Sequence, residues 1–182
     1  MKKLYLLRHG ETKLNSKGIT QGRIDEPLSD AGLNQAYKVA ENLKKMGLEF
    51  SDVYSSPLNR AIVTARIVSD LEPVVYDELI EQDYGSLDGL DYELTRPYHF
   101  DFSEVGGESR KQVGERYYQR LMEIMHQSGD MVLVVGHASA FKAFIEYIGQ
   151  DVPKHVPNCA LFDLDYDGSG FFFNQLISKL DE

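Results

Sequence analysis

The apolar run Leu4-Tyr5-Leu6-Leu7 stops abruptly at Arg8-His9-Gly10-Glu11-Thr12. A short, continuous apolar run predicts a strand buried on both faces. Directly after it come a cation, an imidazole and a glycine, at the strand's C-terminal end, where open α/β sheets bind ligands. Arginine presents a planar fork of donors that matches phosphate oxygens. Histidine is a nucleophile or proton carrier that works near neutral pH.

The rest of the chain alternates helix and strand patterns. Ser29 or Asp30 caps a predicted helix with Leu33, Ala36, Ala40 and Leu43 inward and Gly47 as its stop. Val53-Tyr54-Ser55 reads as a strand. Ser56-Pro57, an N-cap with proline at the first helical position, then opens a helix that buries Ala61, Ala65 and Val68. Val74-Val75-Tyr76 is a third strand, and the polar stretch from Glu78 to Gly89 is a loop. Ser109 with Gln112 forms a capping box for a helix facing inward with Val113, Tyr117, Leu121 and Ile124. Met131 to Val135 is the most apolar strand and is expected at the centre of the sheet; Phe141, Phe144 and Ile148 line the helix after it. Leu161 to Tyr166 and Phe171 to Ile177 are two strands around Asp167-Gly168. The acidic residues of that hairpin are expected on a solvated edge; a calcium loop would need an acid where Asn174 stands. Lys13 to Leu28 shows no period and predicts a long functional loop. The alternation implies a three-layer α/β/α sandwich with a mostly parallel, mixed central sheet, its last two strands antiparallel.

Composition narrows the function. At 182 residues the chain is long enough for one domain with a full core. Nineteen basic residues face 29 acidic ones, a net charge of −10. Such a chain repels nucleic acid and anionic membrane, so neither is an expected partner, and an anionic substrate needs a local basic pocket. Cys159 is the only cysteine, which excludes an intrachain disulfide and fits a reducing, cytoplasmic setting. The apolar run after Lys2-Lys3 is too short for a signal peptide, and no segment approaches membrane-spanning length. Nothing in the sequence sets the oligomeric state.

In this architecture Arg8-His9 follows the first strand, Ser55 and Arg60 the second, Glu81 the third and Gly136-His137 the fourth. Two histidines, two arginines and a glutamate at neighbouring strand ends suit phosphoryl transfer. A neutral imidazole attacks an anionic phosphate without charge repulsion. Arg8 and Arg60 would neutralise the equatorial oxygens, a protonated His137 would add a third donor, and Glu81 would protonate the leaving oxygen. The arginines beside His9 and His137 disfavour a metal ion, and neither a metal nor an organic cofactor is expected.

At these residues the chain resembles the histidine phosphatase superfamily, which includes the cofactor-dependent phosphoglycerate mutases. The resemblance is carried by Leu7-Arg8-His9-Gly10-Glu11-Thr12, Asn15, Gln21-Gly22, Asp25-Glu26-Pro27-Leu28-Ser29 and Gly32. It continues through Ser55-Ser56-Pro57-Leu58-Asn59-Arg60-Ala61, Thr64-Ala65, Glu81, Gly85, Asp88-Gly89, Gly107-Glu108-Ser109 and Val134-Val135-Gly136-His137. It implies a phosphoglycerate mutase-like fold, with His9 as the phosphorylated nucleophile. Arg8, Arg60 and His137 would form the phosphate pocket and Glu81 would be the general acid and base. Asn15 and Gln21 would bind oxygens at the cleft mouth, with Gly22 and Ala138 also at the substrate site. Ala138 stands where the family often has glycine. The mutases carry a long insertion between the segments matching Gly89 and Gly107; here only Leu90 to Val105 fills that gap. The resemblance therefore implies a small phosphatase acting on a phosphorylated metabolite, with a mutase as the first alternative and a non-catalytic phosphate-binding module as the second. The tract Tyr92, Arg96, Tyr98, His99, Phe100 and Phe102, within 90–106, is expected either to cover the cleft as a lid or to pack on the body as a small satellite core.

Overall fold

A computed structural model of the chain describes residues 1–95 and 101–182. In chain order its strands are β1 (Lys2–Arg8), β2 (Asp52–Ser55), β3 (Val74–Val75), β4 (Met131–Gly136), β5 (Leu161–Tyr166) and β6 (Phe171–Ile177). Its helices are α1 (Lys13–Ser16), α2 (Asp30–Lys45), α3 (Asn59–Ser69), α4 (Tyr92–Thr95), α5 (Arg110–Gln127) and α6 (Ala138–Tyr147). The strands form one sheet in the order β3-β2-β4-β1-β5-β6. The first four run parallel, and β5 and β6 are antiparallel additions beyond β1.

The apolar run of β1 is continuous because both faces of the sheet are covered. Leu4 and Leu6 enter a core with Val113, Tyr117 and Leu121 of α5 and Phe141 and Phe144 of α6. Tyr5 and Leu7 point the other way, to Ala36, Val39 and Leu43 of α2 and Ala61, Ala65 and Val68 of α3. Each such leucine contributes about 1.5–3 kcal/mol by leaving water. The two cores clamp β1 and β4 at the middle of the sandwich, and the polar residues that follow these strands inherit that rigidity.

Four local readings change. The inward stripe of α2 runs Gly32, Ala36, Val39, Ala40 and Leu43, while Leu33 is only half-buried. Ala36, Ala40 and Leu43 face inward as expected, with Gly32 and Val39 completing the stripe in place of Leu33. The N-cap of α3 is Leu58, not Ser56; the Ser56 hydroxyl is held by His137 instead, and the Asn59 N–H goes to Asp25 Oδ1 at 2.8 Å. A one-turn helix, α1, stands inside the predicted loop because Thr12 and Asn15 close a capping box. The acidic hairpin is ion-paired rather than merely solvated: Lys3 reaches Asp163 at 3.0 Å and Asp165 at 2.8 Å.

The segment after Gly89 is stitched to the body at both described ends. Thr20 N–H donates to Leu90 O and Tyr92 N–H to Gly18 O, each at 2.7 Å. Further on, the Phe102 ring meets Tyr84 edge to face at 4.9 Å. Arg96, Tyr98, His99 and Phe100 lie outside the described residues. Among the described residues no helix is long and apolar enough to cross a membrane.

Candidate active site

Strand register assembles the site. Arg8 lies opposite Gly136, and Ser55 lies opposite Val135. The residues that leave these strands, His9, Ser56 and His137, therefore emerge beside one another at the C-terminal edge. The two imidazoles sit 5.2 Å apart, centroid to centroid, tilted by 61°. His9 N–H donates to Gly136 O at 3.0 Å, and His9 O accepts from Asn158 Nδ2 at 3.1 Å, so its backbone is bracketed by β4 and by the approach to β5. The turn after it crosses α2 so closely that a Cβ on Gly10 would lie 2.5 Å from Gly32 O. Glycine there is a packing requirement.

Both ring nitrogens of His9 are hydrogen-bonded, and one of His137. His9 Nδ1 is 2.7 Å from Gly10 O, which can only accept, so Nδ1 carries the proton. Nε2 keeps its lone pair, facing Arg60 Nε at 3.3 Å. Burial, reinforced by the charges of Arg60 and Arg8, holds the imidazolium of His9 well below its ordinary pKa. His137 Nε2 is 2.7 Å from Ser56 Oγ. That oxygen also accepts from Leu58 N–H at 3.3 Å. His137 Nδ1 has no hydrogen-bond partner among the described residues. Burial, then the charges of Arg60 and His9, lower the pKa of His137 as well, which opposes the imidazolium that would add a third donor.

The arginines differ in exposure and in partners. Arg8 Nη1 donates to Val156 O at 2.6 Å, its Nε has no partner among the described residues, and it lines the cleft. Arg60 is fully buried behind the cleft wall. Its Nη1 donates to Ile24 O at 2.6 Å and its Nη2 to Gly22 O at 2.7 Å. Gly22 enters the site through this carbonyl rather than by lining the cleft.

Glu81 is buried beneath the N-terminus of α6. Its Oε1 accepts from Gln82 N–H and Ala140 N–H, both at 2.8 Å, and its Oε2 accepts from Ser139 N–H at 3.3 Å. Burial raises its pKa, and this outweighs the Gln82 N–H, the Arg60 charge and the α6 N–H groups, which favour the carboxylate. A neighbouring ion pair holds the loop that carries it. Arg116 is bidentate to Glu108 at 2.9 and 2.8 Å, and spends its remaining donors on the carbonyls of Glu78, Ile80 and Glu81.

Arg8, Asn15, Gln21, Glu81 and Ala138 line a cavity of about 370 Å³, while His9, Arg60 and His137 are buried and are not among its lining residues. Thr12 Oγ1 donates to Gln21 Oε1 at 2.7 Å, and Asn158 Nδ2 donates to Asn15 Oδ1 at 3.2 Å, which orients both amides. Two imidazoles between two guanidinium groups favour an anion and penalise a cation. The set has an imidazole with an unprotonated Nε2, a carboxyl whose pKa burial raises, and cationic donors around both. The model of the histidine phosphatase superfamily (branch 1) matches residues 4–178.

The chain belongs to the histidine phosphatase superfamily.

It is similar to the 2,3-bisphosphoglycerate-dependent phosphoglycerate mutase of Brucella anthropi, with 31% identity over 173 residues, covering 84% of each chain. Its fold matches that of a phosphoserine phosphatase from Entamoeba histolytica, solved with 3-phosphoglyceric acid, with a TM-score of 0.84 at 24% identity over 100% of this chain and 99% of that one. A phosphoglycerate mutase from Bacillus anthracis gives a TM-score of 0.85 at 23% identity, covering 98% and 93%. Phosphatases and mutases thus share this superfamily architecture.

Of the site residues expected from the sequence, Arg8, Asn15, Gln21, Glu81 and Ala138 line the cleft; His9 and His137 sit with Arg60 in the buried cluster, and Gly22 is tied to that cluster through Arg60. Sequence reasoning missed others. Ser56 was assigned to a helix cap, when it orients His137. Asn158 lies far along the chain and has no periodic signal to mark it. Lys142 could have been found, since it follows Ala138 by four residues on the same helix face.

Proposed function

We propose that this histidine phosphatase superfamily member hydrolyses small phosphomonoesters through a phosphohistidine on His9. The observation that carries the reading is the unprotonated Nε2 of His9: the Gly10 carbonyl keeps the ring proton on Nδ1, and the Nε2 lone pair accepts from Arg60 Nε–H at 3.3 Å, a contact that an incoming phosphate would displace. In the first step Nε2 attacks phosphorus and the ester P–O bond breaks. The protonated Glu81 gives its proton to the departing oxygen. In the second step a water oxygen attacks phosphorus, the P–N bond breaks, and the carboxylate of Glu81 takes the water's proton. Arg8, Arg60 and His137 stabilise the charge on the equatorial oxygens. Asn15, Gln21 and Ala138 shape the substrate's surroundings.

The short stretch from Leu90 to Val105 favours water as the acceptor, because little chain is available there to exclude it. A mutase reading is supported by the 31% likeness to phosphoglycerate mutases. Product analysis with 3-phosphoglycerate separates the two: hydrolysis releases more inorganic phosphate than isomerised ester, and predominant isomerisation reverses the assignment. A brief incubation with labelled substrate should trap an acid-labile, base-stable adduct on His9. His9→Ala should lower turnover by roughly a thousandfold or more. Unimpaired turnover by that variant overturns the reading. We also read the chain as one domain working in the cytoplasm with no metal, because Arg8 and Arg60 supply the charge a cation would provide; activity should survive a strong chelator.

A further inference from the structure

The cleft carries more positive charge than a single phosphate requires. Among its lining residues are three permanent cations, Arg8, Lys142 and Lys154, against one carboxylate, Glu81, in a chain whose net charge is −10. Arg8 belongs to the floor. Lys142 stands elsewhere, on α6, four residues beyond Ala138 and three beyond Ser139, both of which also line the cleft. That spacing puts it on the same helix face, one turn or about 5.4 Å further along the wall.

Its surroundings do not explain it as a structural lysine. The side chain is half-buried, and its Nζ makes one hydrogen bond, to Lys154 O at 3.0 Å. An ammonium has three donors, and Lys142 has no ion pair among the described residues. Arg110, whose charge acts on Lys142, is itself paired with Glu146 at 2.6 Å. Burial, then the charge of Arg110, lowers the pKa of Lys142, so holding it cationic costs free energy that an arriving anion would recover. The same hydrogen bond ties Lys142 to the rim segment that carries Lys154 and His155, both exposed at the cleft edge.

We propose that Lys142, assisted by Lys154, holds a second anionic group of the substrate, so that the preferred esters are small phosphorylated acids rather than neutral phosphate esters. The catalytic side of this inference rests on the phosphomonoesterase reading. Lys142 lines the same cavity as Arg8 and Glu81, so one ligand can meet all three, and a cavity of about 370 Å³ is at the small end of ligand sites, which limits that ligand to a small phosphorylated acid.

The test uses two probes that differ at one end: 3-phosphoglycerate and glycerol 3-phosphate, a carboxylate against a hydroxymethyl group. The quantity read is the ratio of kcat/KM for the first over the second, which a general loss of folding or activity leaves unchanged. The wild-type ratio should exceed tenfold. Lys142→Met should cut it by about tenfold or more, Lys154→Met by less, and Lys142→Arg should restore most of it. The same ratio is measured as Kd values on His9→Ala, which needs no turnover. If neither ester is hydrolysed, the phosphomonoesterase reading fails while binding still decides this inference. A ratio that Lys142→Met leaves unchanged, or a wild-type protein with no preference for the acid, overturns it.

Discussion

The floor and the rim of the cleft are built by different rules. The floor consists of His9, Ser56 and His137, the first residues to leave β1, β2 and β4, with Arg60 behind them. Three parallel strands in fixed register set its geometry, and the cores on both sheet faces hold those strands. The floor's polar atoms are bound to backbone: Gly10 O on His9, Leu58 N–H on Ser56, and Gly22 O and Ile24 O on Arg60. The rim is assembled from several loops, around Asn15, Gln21, Tyr84, Tyr92 and Lys154, joined by isolated backbone pairs such as Thr20 with Leu90 and Gly18 with Tyr92 and by side chains, not by strands of the central sheet. Chemistry that needs placement within a fraction of an ångström belongs on the floor, and discrimination between substrates belongs on the rim.

The sharpest way to break this division is Glu81, which hangs from a loop but is clamped like a floor residue by α6 and by Arg116. Glu81→Gln should slow hydrolysis of alkyl phosphates by about 10²–10⁴-fold. With a nitrophenyl ester, whose leaving group needs no proton, the first step should be nearly spared, giving a burst of nitrophenol and then slow turnover. Equal slowing of the burst step for both leaving groups would remove Glu81 as the proton donor.

A second test reads the floor through stability. His9 and His137 have folded-state pKa values depressed by burial, so the unfolded chain binds their protons first. Their contribution to stability is complete above the unfolded value near 6.5 and is lost as pH falls below it towards the folded values. Each depressed histidine adds up to about 1.4 kcal/mol per pH unit to that slope. Urea melts between pH 7 and pH 5 should show the fall, and His137→Gln should flatten it by the share of one histidine. A variant slope equal to that of the wild type would mean the ring charges within the fold.

The smallest effect is expected on the rim. Gln21→Ala removes an amide that Thr12 orients, and should raise KM severalfold with kcat within about twofold, the signature of binding shared by ground and transition states. A large fall in kcat would place Gln21 with the floor and erase the distinction.

Much of the floor was legible in sequence because strand-end chemistry is local. Arg8-His9 and Gly136-His137 each follow a run of apolar residues that can hardly be anything but a buried strand, and the end of a strand is one residue wide. The α5 capping box, Ser109 with Gln112, was readable for the same reason, since its partners are three residues apart. Ser56 was misread because Ser-Pro has a strong local meaning as a helix start. The register of β2 against β4 carries its hydroxyl to His137 instead, and a short-range rule cannot see a partner 81 residues away.

The chain alone determined the kind of chemistry: apolar runs that must be buried, and a histidine, an arginine or a glutamate at the points where they stop. Only the tertiary structure decided the burial that lowers the pKa of His137 and raises that of Glu81, the tautomer of His9 and the meeting of Lys142 with the rim. These depend on the dielectric around a group and on which carbonyl or guanidinium faces it. Those neighbours come from segments that touch only when the sheet closes its register, so no window of sequence contains them.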